Sequence, residues 1–233
     1  MKFHLLFEQS GTFKNVLKQQ GYDAFDYDIL DDFRETDFQI DLFQDIDNEF
    51  ENLIKKKHIK TIFTNMTAEN DFIIAFFPCT HFSGLNQFQY KLLIAGKKRD
   101  LDKKAVCRLI KRNNERAKYF DLYLKFCFIC KSKGIKTIIE NPANCSGNHS
   151  YLELFSPINI GYFEKDRSLY GDIYKKPTNY FSINFAMTEN IIMYDKVYNK
   201  KSILSDTSGM SNRSMITQEY ALNFYKRFLK EQL

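Results

Sequence analysis

Short apolar runs recur along the chain, and most are followed by a stretch with helical spacing. Lys2 to Glu8 reads as a buried strand, Gly11 permits a turn, and Thr12 to Gln20 carries Phe13, Val16 and Leu17 on one helical face before Gly21 stops it. Asp23 to Ile29, "DAFDYDI", predicts a second strand that ends in acid. Ile40 to Phe43 predicts a short third strand, Asp45 to Lys57 a helix, and Ile59 to Thr64 a further strand or extended piece. Phe72 to Phe77 is the strongest strand signal, because it is continuous, short and bounded by Asp71 and Pro78. A long helical region from about Leu101 to Gly134 follows, continuous or broken once, and then Lys136 to Ile139 makes a strand ending in Glu140-Asn141-Pro142.

Strands separated by helices predict an α/β fold with a mostly parallel sheet, joined by crossover connections that put helices on both faces. In such sheets ligand chemistry gathers at the carboxyl ends of the strands. Glu8 to Gly11, Asp26 or Asp28, Asp41, Cys79 and Glu140 all fall at such ends. From 144 to 212 the chain changes character, rich in Tyr, Asn and Ser with no convincing helix. The division expected is therefore a catalytic-type domain over 1–143, a small irregular or strand-rich appendage over 144–212, and a closing segment over 213–233 whose helix, Thr217 to Lys230, returns to the first domain.

At 233 residues the chain can bury a core without staples, and five cysteines, an odd number, do not form a disulfide framework. No run approaches the roughly 18 to 20 apolar residues of a membrane span. A cytoplasmic protein of a reducing compartment, with no membrane partner, is expected. The net charge of +5 hides a lopsided distribution. Twelve Asp or Glu lie between Asp23 and Glu51 against Arg34 alone, whereas ten Lys or Arg lie between Lys97 and Lys118 against three acids. The basic segment suits nucleic-acid phosphates, or is a solvated helix face.

Within this frame Cys79 stands just beyond a strand and a proline, at an exposed edge where a thiolate can act as nucleophile; the alternative is a small buried hydrophobe. Glu140 ends a neighbouring strand and forms with Cys79 a nucleophile and acid pair, or else only caps the turn that follows. His81, two residues beyond Cys79, either depresses the thiol pKa, meets phosphate or serves the loop. Cys127 and Cys130 have the spacing of a metal or redox pair, but they sit in an apolar helical run without a second pair and read as core. His4 reads as a strand residue without a special role.

"PCTHFS", Pro78 onward preceded by Phe77, resembles the Pro-Cys loop of cytosine carbon-5 DNA methyltransferases, and "IIENP" resembles their Glu-Asn loop, in the same order and about sixty residues apart. The resemblance implies a Rossmann-like fold, S-adenosylmethionine as cofactor and cytosine in DNA as target. It also implies Cys79 as the nucleophile at carbon 6 and Glu140 as the acid at ring nitrogen 3. "HLLFEQSGTFKNVLKQQGYDAFDYDI" is similar in layout to the family's opening unit. At the cofactor the resemblance places Phe7, Ser10, Gly11 and Pro78, with Asp26 or Asp28 on the ribose and Asp41 on the adenine. "NRSMITQEYALNFYKRFL" resembles the closing motif and adds Ser214, beside Arg213. Thr80, Ser83 and Asn141 then fall to the substrate. "DRSLYGDIYKKPTNYFSIN" looks like a segment of small methyltransferase-like proteins of phages and mobile elements of low-GC bacteria, which gives a bacterial host cell as setting and Arg167, Lys175 and Lys176 as contacts to phosphate or base.

The chain departs from the family pattern in the first loop, where Phe7-Glu8-Gln9-Ser10-Gly11 keeps one glycine, and at Thr80, where Gln is usual. No Gln-x-Arg-x-Arg motif is present, so the arginine that supports the base is unassigned. The eroded loop leaves open a methyltransferase-like module that only binds DNA or protein, and a further alternative is an enzyme using the same cysteine addition on a free pyrimidine nucleotide.

Overall fold

A computed structural model describes residues 1–84, 103–143, 149–192 and 215–232, with the backbone of two short strands between the first two segments. The strands are β1 (Lys2–Leu6), β2 (Asp23–Asp28), β3 (Phe38–Gln39), β4 (Asp71–Ala75), β5 (Leu93–Ile94), β6 (Lys97–Lys98), β7 (Lys136–Pro142), β8 (Ile160–Glu164) and β9 (Thr178–Ile183). The helices are α1 (Thr12–Gln19), α2 (Leu42–Lys55), α3 (Lys103–Lys133), α4 (Tyr151–Phe155) and α5 (Gln218–Phe224), the last continuing as a π-helical turn over Tyr225–Leu229.

Seven strands form one sheet in the order β3-β2-β1-β4-β7-β9-β8. The five from β3 to β7 run parallel; β9 pairs antiparallel with β7, and β8 with β9. The α/β, mostly parallel architecture expected from the sequence is thus the observed one. The chain builds outward from β1 to β3, then returns to place β4 on the other side of β1. That reversal opens a crevice beyond the carboxyl ends of β1 and β4.

Both faces of the sheet are covered, which is why β4 is buried at all five positions. Ile73 and Ala75 of β4 face a core shared with Leu42 and Ile46 of α2 and with Tyr123, Phe126 and Cys130 of α3. Phe72 and Ile74, pointing the other way, meet Phe13, Val16 and Leu17 of α1 and Tyr220, Ala221 and Phe224 of α5. His4 is more than a strand residue, since its ring nitrogens pair with Tyr27 Oη at 3.0 Å and Asp71 Oδ1 at 2.8 Å, linking β1 to β2 and β4.

Three expectations are corrected. The third strand forms two residues early, at Phe38–Gln39, because Asp41 Oδ1 accepts the amides of Phe43 and Gln44 and starts α2 there. Ile59 to Thr64 is not a strand, as Asp45 Oδ2 takes the Ile62 amide and the Thr64 hydroxyl takes that of Thr61. Residues 160–183, expected in an appendage, instead complete the main sheet as β8 and β9. Among the described residues no helix is long and apolar enough to cross a membrane.

Candidate active site

The crevice at the strand reversal holds a cavity of about 550 Å³. Three chain segments that follow strands form its walls: Phe7 to Ser10 after β1, Asp28 to Leu30 at the end of β2, and Phe76 to Thr80 after β4. Asp41, Leu42 and Phe43 enter from the start of α2, Tyr119 from α3, Glu140 from β7, and Lys176 from the segment before β9. Met215 and Ile216 bring the closing segment back to the same wall.

Cys79 and Glu140 therefore share one cavity. Pro78 ends β4's extension, and the amides of Phe82 and Ser83 both donate to the Cys79 carbonyl, at 2.9 and 3.0 Å, folding the loop into a turn that presents the half-buried thiol. Burial pushes the Cys79 thiol up; the Lys176 ammonium pulls it down and the Glu140 carboxylate pushes it up again. Lys176 thus takes one of the parts left open for His81, the lowering of the thiol pKa. The His81 ring lies 4.6 Å from that of Tyr119, and its own pKa is lowered by burial.

Glu140 is 5% exposed although it lines the cavity. Its Oε1 lies 3.4 Å from Lys176 Nζ and 3.6 Å from Arg167 Nη1, and that oxygen accepts no hydrogen bond from the described residues. Arg167, expected at phosphate or base, is 1% exposed and also pairs with Asp172, its guanidinium 4.7 Å from the centre of the Tyr220 ring. It is an internal counter-ion for Glu140 rather than a surface contact. Arg167 and Lys176 together place positive charge against the Glu140 carboxylate.

Of the other expected residues, Phe7, Ser10, Asp28, Asp41, Pro78 and Thr80 line the cavity. Asp26 does not. It is fully buried, its Oδ2 3.0 Å from Lys14 Nζ and its Oδ1 accepting the Asp37 amide at 2.6 Å, whereas Asp28, one strand repeat further on, clears the sheet. Gly11 stands behind the cavity wall, where a φ of 64° turns the chain into α1. Asn141 is buried and donates from Nδ2 to the Phe77 carbonyl at 3.1 Å, so it ties the two loops together instead of facing substrate. Ser83, which does not line the cavity, closes the Cys79 turn with its amide, and Lys175 is exposed away from the cavity. Ser214 and Arg213 lie outside the described residues.

Among the cavity's polar groups, Tyr119 has no role in the sequence pattern, and Glu8 is placed by it only at a strand end. Glu8 carried a signal, an acid placed between an apolar strand and the only glycine of a tight turn. Cys127 and Cys130 are buried in α3, as their apolar surroundings suggested, and burial pushes the Cys130 thiol up to about 12. Among the described residues no cluster of His, Cys, Asp and Glu has the makings of a metal site. No protein-family model matches the chain, and no curated protein matches it either.

Proposed function

We propose that the protein is an S-adenosylmethionine-dependent methyltransferase acting on carbon 5 of cytosine in DNA. The observation that carries this reading is the meeting of Cys79 and Glu140, some sixty positions apart in sequence, in one cavity at the carboxyl ends of parallel strands, with Lys176 acting on both.

The cavity's residues fit the cofactor by their chemistry. Ile29, Leu30, Phe33 and Phe43 offer apolar walls for an adenine ring, and Asp28 offers acceptors for a ribose. When bound, S-adenosylmethionine supplies an electrophilic methyl group. The Cys79 thiolate would add to carbon 6 of cytosine while Glu140, in its protonated form, gives its proton to ring nitrogen 3, so that the electron pair gathers at carbon 5; carbon 5 would take the methyl there, leaving S-adenosylhomocysteine. Water would then take the proton from carbon 5, the 5,6 double bond would reform as the Cys79 thiolate leaves, and ring nitrogen 3 would return its proton to Glu140. Lys176 favours the thiolate at the start, and Arg167 and Lys176 fix Glu140 where it meets the ring. A stacked base is out of reach of both groups, so a duplex substrate requires a flipped cytosine.

The basic half of α3 supports DNA as the partner. Lys103, Lys104, Arg108, Lys111 and Lys118 are exposed there, and Tyr119, at the end of that stretch, lines the cavity. The test is mass spectrometry of nucleosides from DNA incubated with S-adenosylmethionine and either wild-type protein or Cys79→Ser. Cysteine-dependent 5-methylcytosine is expected. Its absence on both AT-rich and GC-rich DNA would overturn the assignment in favour of a binding module, and methylation of free nucleotides alone would move the substrate.

A further inference from the structure

The end of β1 holds an acid that the reaction above does not use. Glu8 is 6% exposed and lines the cavity. Its Oε1 accepts the Phe13 amide at 2.8 Å and the Ser10 hydroxyl at 3.3 Å, while its Oε2 is buried with no hydrogen-bond partner among the described residues. Phe13 belongs to the first turn of α1, so the carboxylate sits over the N-terminus of that helix.

In a sheet wound this way, the N-terminus of the first helix is where free amides and the helix dipole hold a cofactor phosphate. Here an anion of the chain already fills the place, and a phosphate brought there meets a carboxylate at close range. The side chains of Glu8, Gln9 and Ser10 also occupy space that glycines leave open. Oε2, in turn, is a buried acceptor without a donor, a costly state that a ligand N–H relieves.

We propose that Glu8 sets the charge class of the nucleoside that enters the cavity, admitting one with an ammonium donor and excluding one with phosphate. This role for Glu8 rests on the cofactor assignment above and adds to it the residue that selects the cofactor's polar end.

The groups around Glu8 make its charge titrate near neutrality. From β2, Asp26 disfavours ionisation, although Lys14 of α1 neutralises much of that charge; the Phe13 and Lys14 amides and the Ser10 hydroxyl favour it. Asp28 and Asp41 stand elsewhere on the cavity wall, as do Lys176 and Glu140. Burial outweighs the hydrogen bonds and pushes Glu8 up to about 7.

The test is calorimetric titration of the intact protein with S-adenosylmethionine, S-adenosylhomocysteine and ATP at pH 5.5 and 7.0. Both values lie below the roughly 7.7 to 8.0 of an α-amino group, so only the protein's charge changes. The wild type should bind the two amino-bearing nucleosides about tenfold more tightly at pH 7.0 and should not bind ATP. Glu8→Gln should bind them more weakly and without that pH dependence. ATP binding as tight as theirs, or an unchanged pH profile in Glu8→Gln, overturns the role of Glu8 alone. Failure of both nucleosides to bind the wild type at either pH overturns the cofactor assignment and, with it, this role. The wild-type measurements decide the matter even if the variant does not fold.

Discussion

The side-chain amide of Asn141 donates to the carbonyl of Phe77 at 3.1 Å, joining the strand that carries Glu140 to the segment that carries Cys79. The two groups are thereby held to each other by a bond that involves neither. Asn141→Ala leaves the Phe77 carbonyl buried and without that donor, a loss of about 1 to 3 kcal/mol. Urea denaturation should show a lower midpoint at unchanged slope, and the nucleoside assay should lose product while cofactor affinity is kept. An unchanged midpoint would remove the clamp from the account.

The charges around Cys79 make opposite predictions for two neighbours. Lys176→Met removes the cation that favours the thiolate, so the pH at which iodoacetamide begins to modify Cys79 should move up. Glu140→Gln removes the anion that opposes it and should move that pH down. The rates are read by peptide mass mapping in a Cys107→Ser background, because Cys107 is exposed. Shifts of the same sign in both variants would contradict the arrangement.

Glu8 also gives stability a slope with pH. The folded protein holds its proton up to about 7, while the unfolded chain releases it near the ordinary 4.5. Stability from this group is therefore present below 4.5 and lost as pH rises through 7, by about 3 kcal/mol. Melting temperatures measured at pH 5 and 8 should fall less in Glu8→Gln than in the wild type. Equal falls would mean that the group does not titrate as its burial requires.

Arg227 anchors the π-helical turn, with Nη1 2.6 Å from Glu164 Oε2, Nη2 2.5 Å from Glu189 Oε1 and 2.9 Å from Tyr162 Oη. It is fully buried, and Glu164 is 3% exposed. Arg227→Met strands a buried carboxylate and should cost about 3 to 5 kcal/mol in chemical denaturation. A loss under about 1 kcal/mol, the size of an exposed pair, would show that the network is solvated.

On α3, replacing Arg108 and Lys111 by Gln should weaken DNA binding and lower the slope of log affinity against log salt by about one for each phosphate that the helix no longer neutralises. A slope that does not change would move the nucleic-acid path off this helix.

The sequence by itself determined the presence and order of β1, β2, β4 and β7. The apolar run before Pro78 and the "KTII" before Glu140 mark β4 and β7, and a parallel sheet gathers their carboxyl-terminal parts on one side, so Cys79 and Glu140 were legible as a pair, although β7 runs on through Glu140 to Pro142. Local signals also placed α1, α3 and the buried Cys127 and Cys130. What only the tertiary structure decided is which charges surround that pair. Arg167 and Lys176 reach Glu140 because β9 runs antiparallel beside β7, with Glu140 opposite Tyr180, and that register joins segments forty residues apart with no local mark in either. The same holds for Asp26 and Asp28. They share a strand face by the two-residue repeat, yet Lys14 of α1 buries one and the end of the sheet releases the other into the cavity. Periodicity assigns a side chain to a face, but its ionic partners follow from how separate elements pack, and burial then sets the charge that each of them carries.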